Sequence, residues 1–275
     1  MKKIFTLRDG RTLSIGGKTL LMGIVNVTPD SFSDGGKFFS PETAIAHAKK
    51  LVDDGADILD IGAESTRPDA VPISAEEEFA RLEKILPALK NFNVPISVDT
   101  YKPEVAAKAL QLGADILNDV HGLEDLRMID VAKKFDAPAI AVHSEKCSDG
   151  DIIADVQKFF RRTLAHCQSC NFDTAKIIFD PGIGFGKSHE ESLTLLRRLD
   201  ELKNLDGREL SLMLGVSRKS FIGWATGLAL DDRDAATGAL CVLAVTKGVD
   251  IVRVHNVKLI RQMCLIADKL CGGDS

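Results

Sequence analysis

The hydrophobic pattern of the chain alternates between short apolar runs and longer segments in which apolar residues recur with a helical period. The short runs are rich in β-branched residues and have the length of buried strands. The predicted strands are Leu20–Val25, Ile58–Ile61, Pro95–Val98, Asp115–Leu117, Ala139–Val142, Ile177–Phe179, Leu210–Leu214 and Ile251–Val254. The predicted helices are Pro41–Asp54, Ala75–Leu89, Pro103–Leu112, Leu126–Phe135, Ile152–Cys170, Glu190–Leu202, Ala235–Lys247 and Val257–Leu270.

These segments form a strand–helix unit that repeats eight times without a long polar linker. Eight is the number of units that closes a parallel sheet into a (β/α)8 barrel, the TIM barrel of the α/β class. An open, doubly wound sheet is the alternative, because periodicity alone does not establish closure. Two alternating segments around Asp9-Gly10, Ile4–Leu7 and Thr12–Ile15, predict a short N-terminal β-hairpin. We expect residues 1–275 to form a single barrel domain.

Three of the predicted helices end at the same short pattern, a glycine followed by Ala or Val and then by Asp. The three copies are Gly55-Ala56-Asp57, Gly113-Ala114-Asp115 and Gly248-Val249-Asp250. Glycine is preferred just past a helix end because it adopts a left-handed conformation without strain. The pattern therefore predicts a glycine cap and an immediate return into the next strand.

Composition narrows the class of protein. The chain has 275 residues, of which 45% are hydrophobic and 27% charged, and a net charge of −5, which is ordinary for a soluble globular protein. It has neither a Lys/Arg block that would suit nucleic acid nor an apolar run near the ~20 residues of a membrane span, so we expect no partner of either kind. The scattered cysteines and the lack of a signal-peptide pattern predict reduced thiols and a cytoplasmic location. Cys167 and Cys170 have the spacing of a metal or redox pair, but they lack a second pair.

The first predicted barrel strand ends in an unusually long polar segment. The sequence from Met22 to Gly36, MGIVNVTPDSFSDGG, changes abruptly from apolar residues to Asn, Thr, Pro, Asp, Ser and Gly. Connections of this length are more often functional than plain links, although an ordinary surface loop is the alternative. We expect residues 28–39 to form a mobile cover over a site, with Asn26 at its base.

Polar or charged residues accompany every predicted strand end. In a barrel these positions meet at the carboxyl ends of the strands, where the active site lies. The positions are Asn26, Asp60 with 62–68, Asp99–Lys102, Asn118–Asp119, His143–Ser144, Asp180–Lys187, Ser217–Ser220 and Arg253–Asn256. Any one of them suits a helix cap or a surface ion pair, but all eight together predict a functional rim.

The basic residues of this rim favour a phosphorylated ligand. Arg67, Lys219, Arg253 and His255 suit phosphate oxygens, because Arg offers a fork of donors and Lys a point charge. Asn26 adds an oxygen ligand for Mg²⁺, which keeps most of its waters and relies on substrate phosphates. The combination predicts a diphosphate with its magnesium ion.

The acidic and amide residues of the rim favour a different group. Asp60, Asp99, Asn118 and Asp180 suit a flat heterocycle whose N–H groups donate to them, although each Asp also suits a helix cap. The glycine-rich run 182–186 lacks the spacing of a Walker or dinucleotide loop and predicts a close backbone approach to a ligand. The residues alone thus predict an α/β-barrel enzyme that acts on a phosphorylated, nitrogen-rich ring.

Seven sequence motifs, in this order, resemble those of the dihydropteroate synthase family. They are MGIVNVTPDSFSDGG (22–36), DIGAESTRP (60–68), SVDTYKPEV (97–105), ILND (116–119), DPGIGFGK (180–187), GVSRKSFIG (215–223) and IVRVHNV (251–257). Together they span nearly the whole chain, and the first and sixth are highly specific. The resemblance implies a pterin-binding barrel enzyme of folate biosynthesis. Such an enzyme joins 6-hydroxymethyl-7,8-dihydropterin diphosphate to 4-aminobenzoate and releases diphosphate.

The resemblance also implies roles for the residues at matching positions. It implies that the pterin is bound by Asp60, Asp99, Asn118, Asp180 and Lys219, with catalysis assigned to Asp99, Asp180 and Lys219. It implies that diphosphate is bound by Asn26, Thr66, Arg67, Arg253 and His255, with Asn26 as the contact to Mg²⁺, the cofactor. It implies a 4-aminobenzoate site at Thr66, Pro68 and Ser220, where sulfonamides compete, and a homodimer formed through the late helices.

The chain departs from the family pattern at several positions. After His143 it continues with 144–147, Ser-Glu-Lys-Cys, where the family has a Met-Gln stretch and a longer loop, so one wall of the pterin pocket is expected to differ. Asn256 stands where Asp is usual, and Ala63 and Asp69 stand where glycines are usual. Two alternatives therefore stay open. One is a catalytically silent, pterin-binding paralogue, and the other is a relative that binds methyl-tetrahydrofolate.

Overall fold

A closed barrel of eight parallel strands lies at the centre of the protein. The computed structural model describes residues 2–28, 40–65, 70–148 and 150–272. The strands are β1 (Lys3–Thr6), β2 (Thr12–Ile15), β3 (Leu20–Asn26), β4 (Ile58–Gly62), β5 (Ile96–Asp99), β6 (Ile116–Asp119), β7 (Ala139–Val142), β8 (Ile177–Asp180), β9 (Asn204–Leu205), β10 (Arg208–Glu209), β11 (Ser211–Leu214) and β12 (Ile251–Val254). The barrel runs in the order β11-β12-β3-β4-β5-β6-β7-β8, and β8 pairs again with β11. The barrel prediction is confirmed, and the open sheet is excluded.

Helices cover the outside of this barrel. They are α1 (Pro41–Asp53), α2 (Ala75–Leu82), α3 (Leu86–Leu89), α4 (Pro103–Leu112), α5 (Leu126–Phe135), α6 (Ile152–Ser169), α7 (His189–Arg197), α8 (Ser220–Thr226), α9 (Asp234–Thr246) and α10 (Val257–Leu270). Ser40 and Ser74 cap α1 and α2 through their side chains, as their positions predict. The apolar helix faces and the outer faces of the strands form one continuous core. Among the described residues, no helix combines the length and the apolar character that a membrane crossing requires.

The predicted N-terminal hairpin closes the amino-terminal end of the barrel. Strands β1 and β2 pair in antiparallel fashion, and Phe5, Leu13 and Ile15 are buried between them and the barrel. These three side chains belong to the same cluster as residues that open the barrel strands, including Leu20 and Ile58. The hairpin therefore contributes the floor of the barrel interior.

The three Gly-x-Asp patterns form one repeated device on the amino-terminal side of the barrel. The glycines have positive φ angles, namely 101° at Gly55, 108° at Gly113 and 84° at Gly248. Each Asp side chain accepts a hydrogen bond from a strand N–H, from Leu21 to Asp57 at 2.9 Å, from Ile96 to Asp115 at 2.9 Å and from Leu212 to Asp250 at 2.8 Å. The glycine caps are confirmed, and each Asp in addition fixes the start of the preceding barrel strand.

Several predicted boundaries differ from the structure. The helix predicted over Ala75–Leu89 is two helices, because Pro87 has no N–H to continue α2 and its ring would meet the preceding turn. The helix predicted over Glu190–Leu202 ends as α7 at Arg197, and a 3₁₀ turn follows. Helix α8 and the β9–β10 hairpin were not predicted, because both are too short to show a period.

Candidate active site

The predicted acidic and amide residues meet at the carboxyl ends of neighbouring strands. In the sheet register Asp99 on β5 lies opposite Gly62 on β4 and Asn118 on β6. Asp60 is completely buried, Asn118 and Asp180 are also buried, and Asp99 is partly exposed at the rim. Four strands thus bring these four polar side chains into one apolar setting, as the barrel prediction requires.

Arg253 on β12 joins two of these carboxylates. Its Nε donates to Asp60 Oδ2 at 2.6 Å, and its Nη2 donates to Asp99 Oδ2 at 2.8 Å. Asn118 Nδ2 donates to the same Asp60 oxygen at 3.1 Å. Burial raises the pKa of Asp99 to about 7, although Arg253 opposes the rise. The sequence assigned Arg253 to an anion by its charge, and it did not reveal this pairing with carboxylates.

Two buried oxygen atoms of this cluster are acceptors that still need a donor. Asp60 Oδ1 and Asn118 Oδ1 are inaccessible to solvent and have no hydrogen-bond partner among the described residues. A buried acceptor without a partner costs about 1–3 kcal/mol. A ligand that carries N–H groups removes this cost when it donates to both atoms. The pocket is therefore built to receive a hydrogen-bond donor.

Lys219 lies on the other side of the cluster, beside Asp180. Its Nζ donates to the carbonyl oxygen of Ile183 and lies 4.3 Å from the ring centroid of Phe185. Burial lowers the pKa of Lys219 to about 8, and Asp180 opposes this shift. Burial also raises the pKa of Asp180, whose Oδ1 accepts from the N–H of Gly182 at 2.7 Å. A cation, a carboxylate and an aromatic face thus border the same pocket.

The glycine-rich segment after β8 makes close contacts within the protein. Gly182, Gly184 and Gly186 have φ angles of 68°, 79° and 60°. A Cβ on Gly182 would lie 1.7 Å from the carbonyl oxygen of His143, and one on Gly184 would lie 3.1 Å from Lys219 Cδ. The backbone of this segment approaches the β7 loop and Lys219 closely, and the predicted close approach to a ligand stays a prediction.

His255 differs in charge from the interpretation based on sequence. Burial lowers its pKa to about 4, and Arg253 adds to the shift, so the imidazole is neutral near pH 7. Its Nδ1 lies 2.9 Å from Ser217 Oγ, which also accepts the backbone N–H of His255 at 3.2 Å. The sequence grouped His255 with the cations by residue type, whereas in the structure its imidazole is neutral near pH 7; its contact with diphosphate stays a prediction.

Asn26 ends β3 at the rim, where its side chain is exposed. Its Oδ1 and Asp99 Oδ2 lie 3.9 Å and 3.7 Å from the point where a Cβ on Gly62 would stand. Ser220 opens α8 and is exposed to solvent. No group of three His, Cys, Asp or Glu side chains that suits a metal ion exists within the described ranges.

Other predicted site residues lie outside the described residues. They are Thr66, Arg67 and Pro68, together with residues 29–39 of the expected cover. Their assignments therefore stay predictions.

Two departures from the family pattern have a clear structural setting. Asn256 caps α10 by accepting from the N–H of Leu259 at 3.2 Å, and its Nδ2 donates to Asp234 at 2.8 Å. Asp234 also binds Arg218, so a second carboxylate at position 256 would crowd this pair. In the altered 143–150 segment Glu145 pairs outward with Arg162 on α6, away from the pocket.

Sequence reasoning missed a buried network beside the pocket. Lys102 Nζ binds Glu64, donates to Glu78 Oε2 at 2.8 Å and donates to the carbonyl oxygen of Ile73 at 2.7 Å. Tyr101 donates its hydroxyl to Glu64 Oε1 at 2.9 Å. The available signal was the charge of Glu64 and Lys102, each of which closely follows a strand end.

Comparison with known proteins agrees with this geometry. Residues 22–255 match the model of the pterin binding enzyme family. A dihydropteroate synthase of Bacillus subtilis is 42% identical over 261 residues, which are 94% of this chain and 90% of that protein. A dihydropteroate synthase of Xanthomonas albilineans, solved with 4-aminobenzoic acid, is 35% identical with a TM-score of 0.91 over 98% of each chain. One of Thermus thermophilus, in complex with 6HMPPP, is 38% identical with a TM-score of 0.84 and covers 98% of this chain and 100% of its own. The chain therefore belongs to the dihydropteroate synthases, within the family of pterin-binding enzymes.

Proposed function

We propose that this protein condenses 6-hydroxymethyl-7,8-dihydropterin diphosphate with 4-aminobenzoate to give 7,8-dihydropteroate and diphosphate, in folate biosynthesis. The observation that carries the proposal is the pair of buried acceptors without a partner, Asp60 Oδ1 and Asn118 Oδ1. The amino and ring N–H groups of a pterin are donors of the kind that these atoms need. A relative from Xanthomonas albilineans was solved in complex with 7,8-dihydropteroate, which supports the same product here.

In this proposal the ring lies among Asp60, Asp99, Asn118, Asp180 and Lys219. The three carboxylates and the amide accept from the ring, and Lys219 donates to a ring acceptor. Asp99, Asp180 and Lys219 are proposed to act in catalysis: the two carboxylates stabilise the positive charge that develops at the methylene carbon, and Lys219 holds the ring by donating to one of its acceptors. Fixed charges in a buried site stabilise such a state more strongly than water does.

The diphosphate is proposed to lie at the rim, against Asn26, Thr66, Arg67, Arg253 and His255. Arg253 supports this because a guanidinium carries five N–H donors, of which Nε and Nη2 engage the two carboxylates. Arg253 is thus able to hold Asp60 and Asp99, which are proposed to bind the pterin, and also to contact the diphosphate leaving group. Neutral His255 offers a hydrogen bond there without adding charge.

We propose Mg²⁺ as the cofactor that accompanies the diphosphate. The donor set fits an ion that arrives with its substrate, because Asn26 offers one exposed oxygen beside Asp99. Magnesium commonly uses one or two protein oxygens and takes its remaining ligands from phosphate and water. When bound, the ion would neutralise charge on the departing diphosphate.

The 4-aminobenzoate is proposed to bind over Thr66, Pro68 and Ser220. In the reaction the C–O bond to diphosphate breaks, and the leaving group takes the electron pair. The aryl nitrogen then forms the C–N bond and loses a proton. An aryl amine is neutral at pH 7, so its attack does not call for a strong general base. Exclusion of water by the surrounding pocket protects the methylene from hydrolysis.

A coupled assay of diphosphate release tests the proposal. The protein is given the pterin diphosphate and Mg²⁺, with and without 4-aminobenzoate, and we expect release to depend on the aminobenzoate. No such dependence, with pterin binding intact, would identify a catalytically silent paralogue. Binding of methyl-tetrahydrofolate in place of the pterin would favour the remaining alternative.

We also propose that the partner of this chain is a second copy of itself. Helices α9 and α10 share an exposed apolar face that includes Val242, Met263, Ile266 and Leu270. Ile266 is 65% exposed and Leu270 is 80% exposed, which is costly for side chains on a lone surface. The homodimer implied by the family resemblance would cover this face.

The reaction is proposed to take place in the cytoplasm. The cysteines in the described part of the chain are free thiols, as a reducing compartment favours. Burial raises the pKa of Cys167 to about 12, so this buried thiol does not supply a reactive thiolate. Cell fractionation with an antibody to the protein tests the location, and recovery in the membrane or secreted fraction would contradict it.

A further inference from the structure

Lys187 follows the glycine-rich segment 182–186 and reaches back beneath it. Its Nζ donates to the carbonyl oxygen of His143 at 2.8 Å and to that of Phe185 at 3.0 Å. His143 begins the loop after β7, and Phe185 lies in the loop after β8. One ammonium group therefore joins two neighbouring loops of the rim.

The backbone is folded tightly around this ammonium group. A Cβ on Gly182 would lie 1.7 Å from the His143 carbonyl oxygen and 3.3 Å from Lys187 Nζ. A Cβ on Gly186 would lie 2.6 Å from the carbonyl oxygen of Ser144. Buried carbonyl groups require donors, and these two loops leave little space for another group to replace Lys187.

The segment that Lys187 anchors is also the support of Lys219. The Ile183 carbonyl oxygen accepts from Lys219 Nζ, and the Phe185 ring lies 4.3 Å from that nitrogen. The ends of Lys187 and Lys219 thus bind different carbonyl groups of the same short segment. A shift of segment 182–186 would therefore move both Lys219, the cation beside the proposed pterin site, and the loop that starts at Asp180.

The charge of Lys187 adds a second link to the pocket. Burial lowers the pKa of Lys187 to about 7, and the charge of Lys219 lowers it further. Asp180 and two outer carboxylates, those of Glu191 and Glu145, oppose the shift. Lys187 in turn counteracts the rise in the pKa of Asp180, together with Lys219 and Arg253. The group therefore supports both the position and the ionisation of the residues around the ring.

We propose that Lys187 is a positioning residue that holds segment 182–186 so that Lys219 and Asp180 meet the pterin ring. The inference rests on the proposed function, because the effect of Lys187 is exerted through the pterin pocket. It acts without touching the substrate. A displacement of ~1 Å caused by a change far from the reacting atoms can cost roughly a hundredfold in rate, and we expect a loss of similar size in binding when the groups that hold the ring are displaced.

The test replaces the ammonium with an apolar side chain of similar length, Lys187→Met. We expect the Kd for 6-hydroxymethylpterin, measured by calorimetry, to rise about 10- to 100-fold, and the KM for the pterin diphosphate to rise with it. Lys203→Met is the matched control, because Lys203 pairs with Asp250 at 2.7 Å on the amino-terminal side of the barrel. That variant is expected to melt earlier and to bind the pterin as the wild type does.

A Kd within about twofold of the wild type in Lys187→Met, or an equal loss in Lys203→Met, would overturn the proposal. A purely structural role would lower kcat with the active fraction and leave Kd and KM unchanged. If Lys187→Met does not fold, Lys187→Gln decides by the same criterion. If the wild type binds pterin but releases no diphosphate, the proposed function fails, and the calorimetric comparison still decides on Lys187.

Discussion

Asp99 is a residue of the candidate site whose charge changes near neutral pH. Burial raises the pKa of its carboxyl to about 7, with Asp60, Glu78 and Asp119 adding to the rise and Arg253 opposing it. The folded state thus binds this proton more tightly than the unfolded chain, and ionising Asp99 costs folding free energy as pH rises from its ordinary range towards 7. The carboxylate that the ligand needs is formed at the expense of stability.

We predict that pterin binding weakens as pH falls through about 7. The ionised carboxylate accepts hydrogen bonds with both oxygens, and about a tenth of the groups stay ionised one unit below the pKa. The Kd for 6-hydroxymethylpterin should therefore rise about tenfold from roughly pH 8 to roughly pH 6. Calorimetry measures it, and Asp99→Asn is the control: its binding should be weaker and should not weaken further as pH falls, because Lys219, with a pKa of about 8, only gains its proton over this range. A constant wild-type affinity would contradict the prediction.

Replacing Lys219 tests the pocket from the opposite side. Lys219→Ala removes a buried cation beside Asp180, and a charged hydrogen bond contributes about 1.5–3 kcal/mol. We predict a loss of pterin affinity of about 10- to 100-fold, with a normal circular dichroism spectrum. Unchanged affinity by calorimetry would remove Lys219 from the pocket.

The sequence largely predicted where these residues lie in the fold, but it did not predict which side chains they contact. Asp99 and Asn118 end predicted strands, so the barrel hypothesis alone brings them together. The bond from Arg253 to Asp60 depends on β12 lying next to β3 across the closure of the barrel, which periodicity does not determine. The low pKa of His255 likewise depends on burial by residues that are distant in sequence.

At the scale of elements, Lys102 connects residues near the end of β4 to residues near the start of α2. It binds Glu64 at the start of that segment, the carbonyl oxygen of Ile73 near its end, and Glu78 in α2. Glu78 is 1% exposed, burial raises its pKa, and Lys102 opposes that rise. One cation therefore balances two carboxylates and joins a loop to a helix.

We predict that Lys102→Met destabilises the protein by about 3 kcal/mol, because it leaves buried Glu78 without its cation. Denaturant unfolding measures the free-energy change. Lys49→Met is the matched control, since Lys49 pairs with Asp53 at 2.6 Å on an exposed helix surface, and we expect an effect below about 0.5 kcal/mol there. Similar values for both variants would show that the network adds nothing.

Helix α8 shows why some elements are hidden in the sequence. It has seven residues and contains Gly223, which is unfavourable within a helix. A Cβ at Gly223 would lie 2.1 Å from Arg233 Nη2, and Arg233 donates to the carbonyl oxygen of Arg218 at 3.1 Å. The glycine leaves room for the Arg233 guanidinium, a tertiary contact that a local pattern does not reveal.

At the scale of the whole molecule, the exposed apolar face of α9 and α10 bears on assembly. We predict that Ile266→Asp shifts the protein from dimer to monomer, because it buries a charge in the proposed interface. Size-exclusion chromatography with light scattering measures the mass. Ile4→Asp is the control, since Ile4 is 64% exposed on the N-terminal hairpin, away from this face. A monomeric wild type, or a dimer that survives Ile266→Asp, would contradict the prediction.

The architecture of the whole molecule followed from counting units. Eight strand–helix repeats predicted closure, and the structure closes through β8 and β11. The hairpin was predicted as a local element, but its contact with the barrel floor was not, because Phe5 and Ile15 carry no sign of their remote partners. Long-range packing is the part of the fold that the hydrophobic pattern leaves open.

The N-terminal hairpin that forms the floor of the barrel determines how ligands enter and leave the site. Because β1 and β2 cover the lower mouth, anything bound deep in the pocket enters and departs through the rim where the strands end. In the proposed arrangement, a ring bound among Asp60 and Asn118 would have to arrive before the 4-aminobenzoate above it, and the product would leave through the same opening. A ligand held at the rim would consequently trap the one beneath. On this arrangement the pocket has one opening, and the order in which the ligands bind follows from how deep in the barrel each one lies.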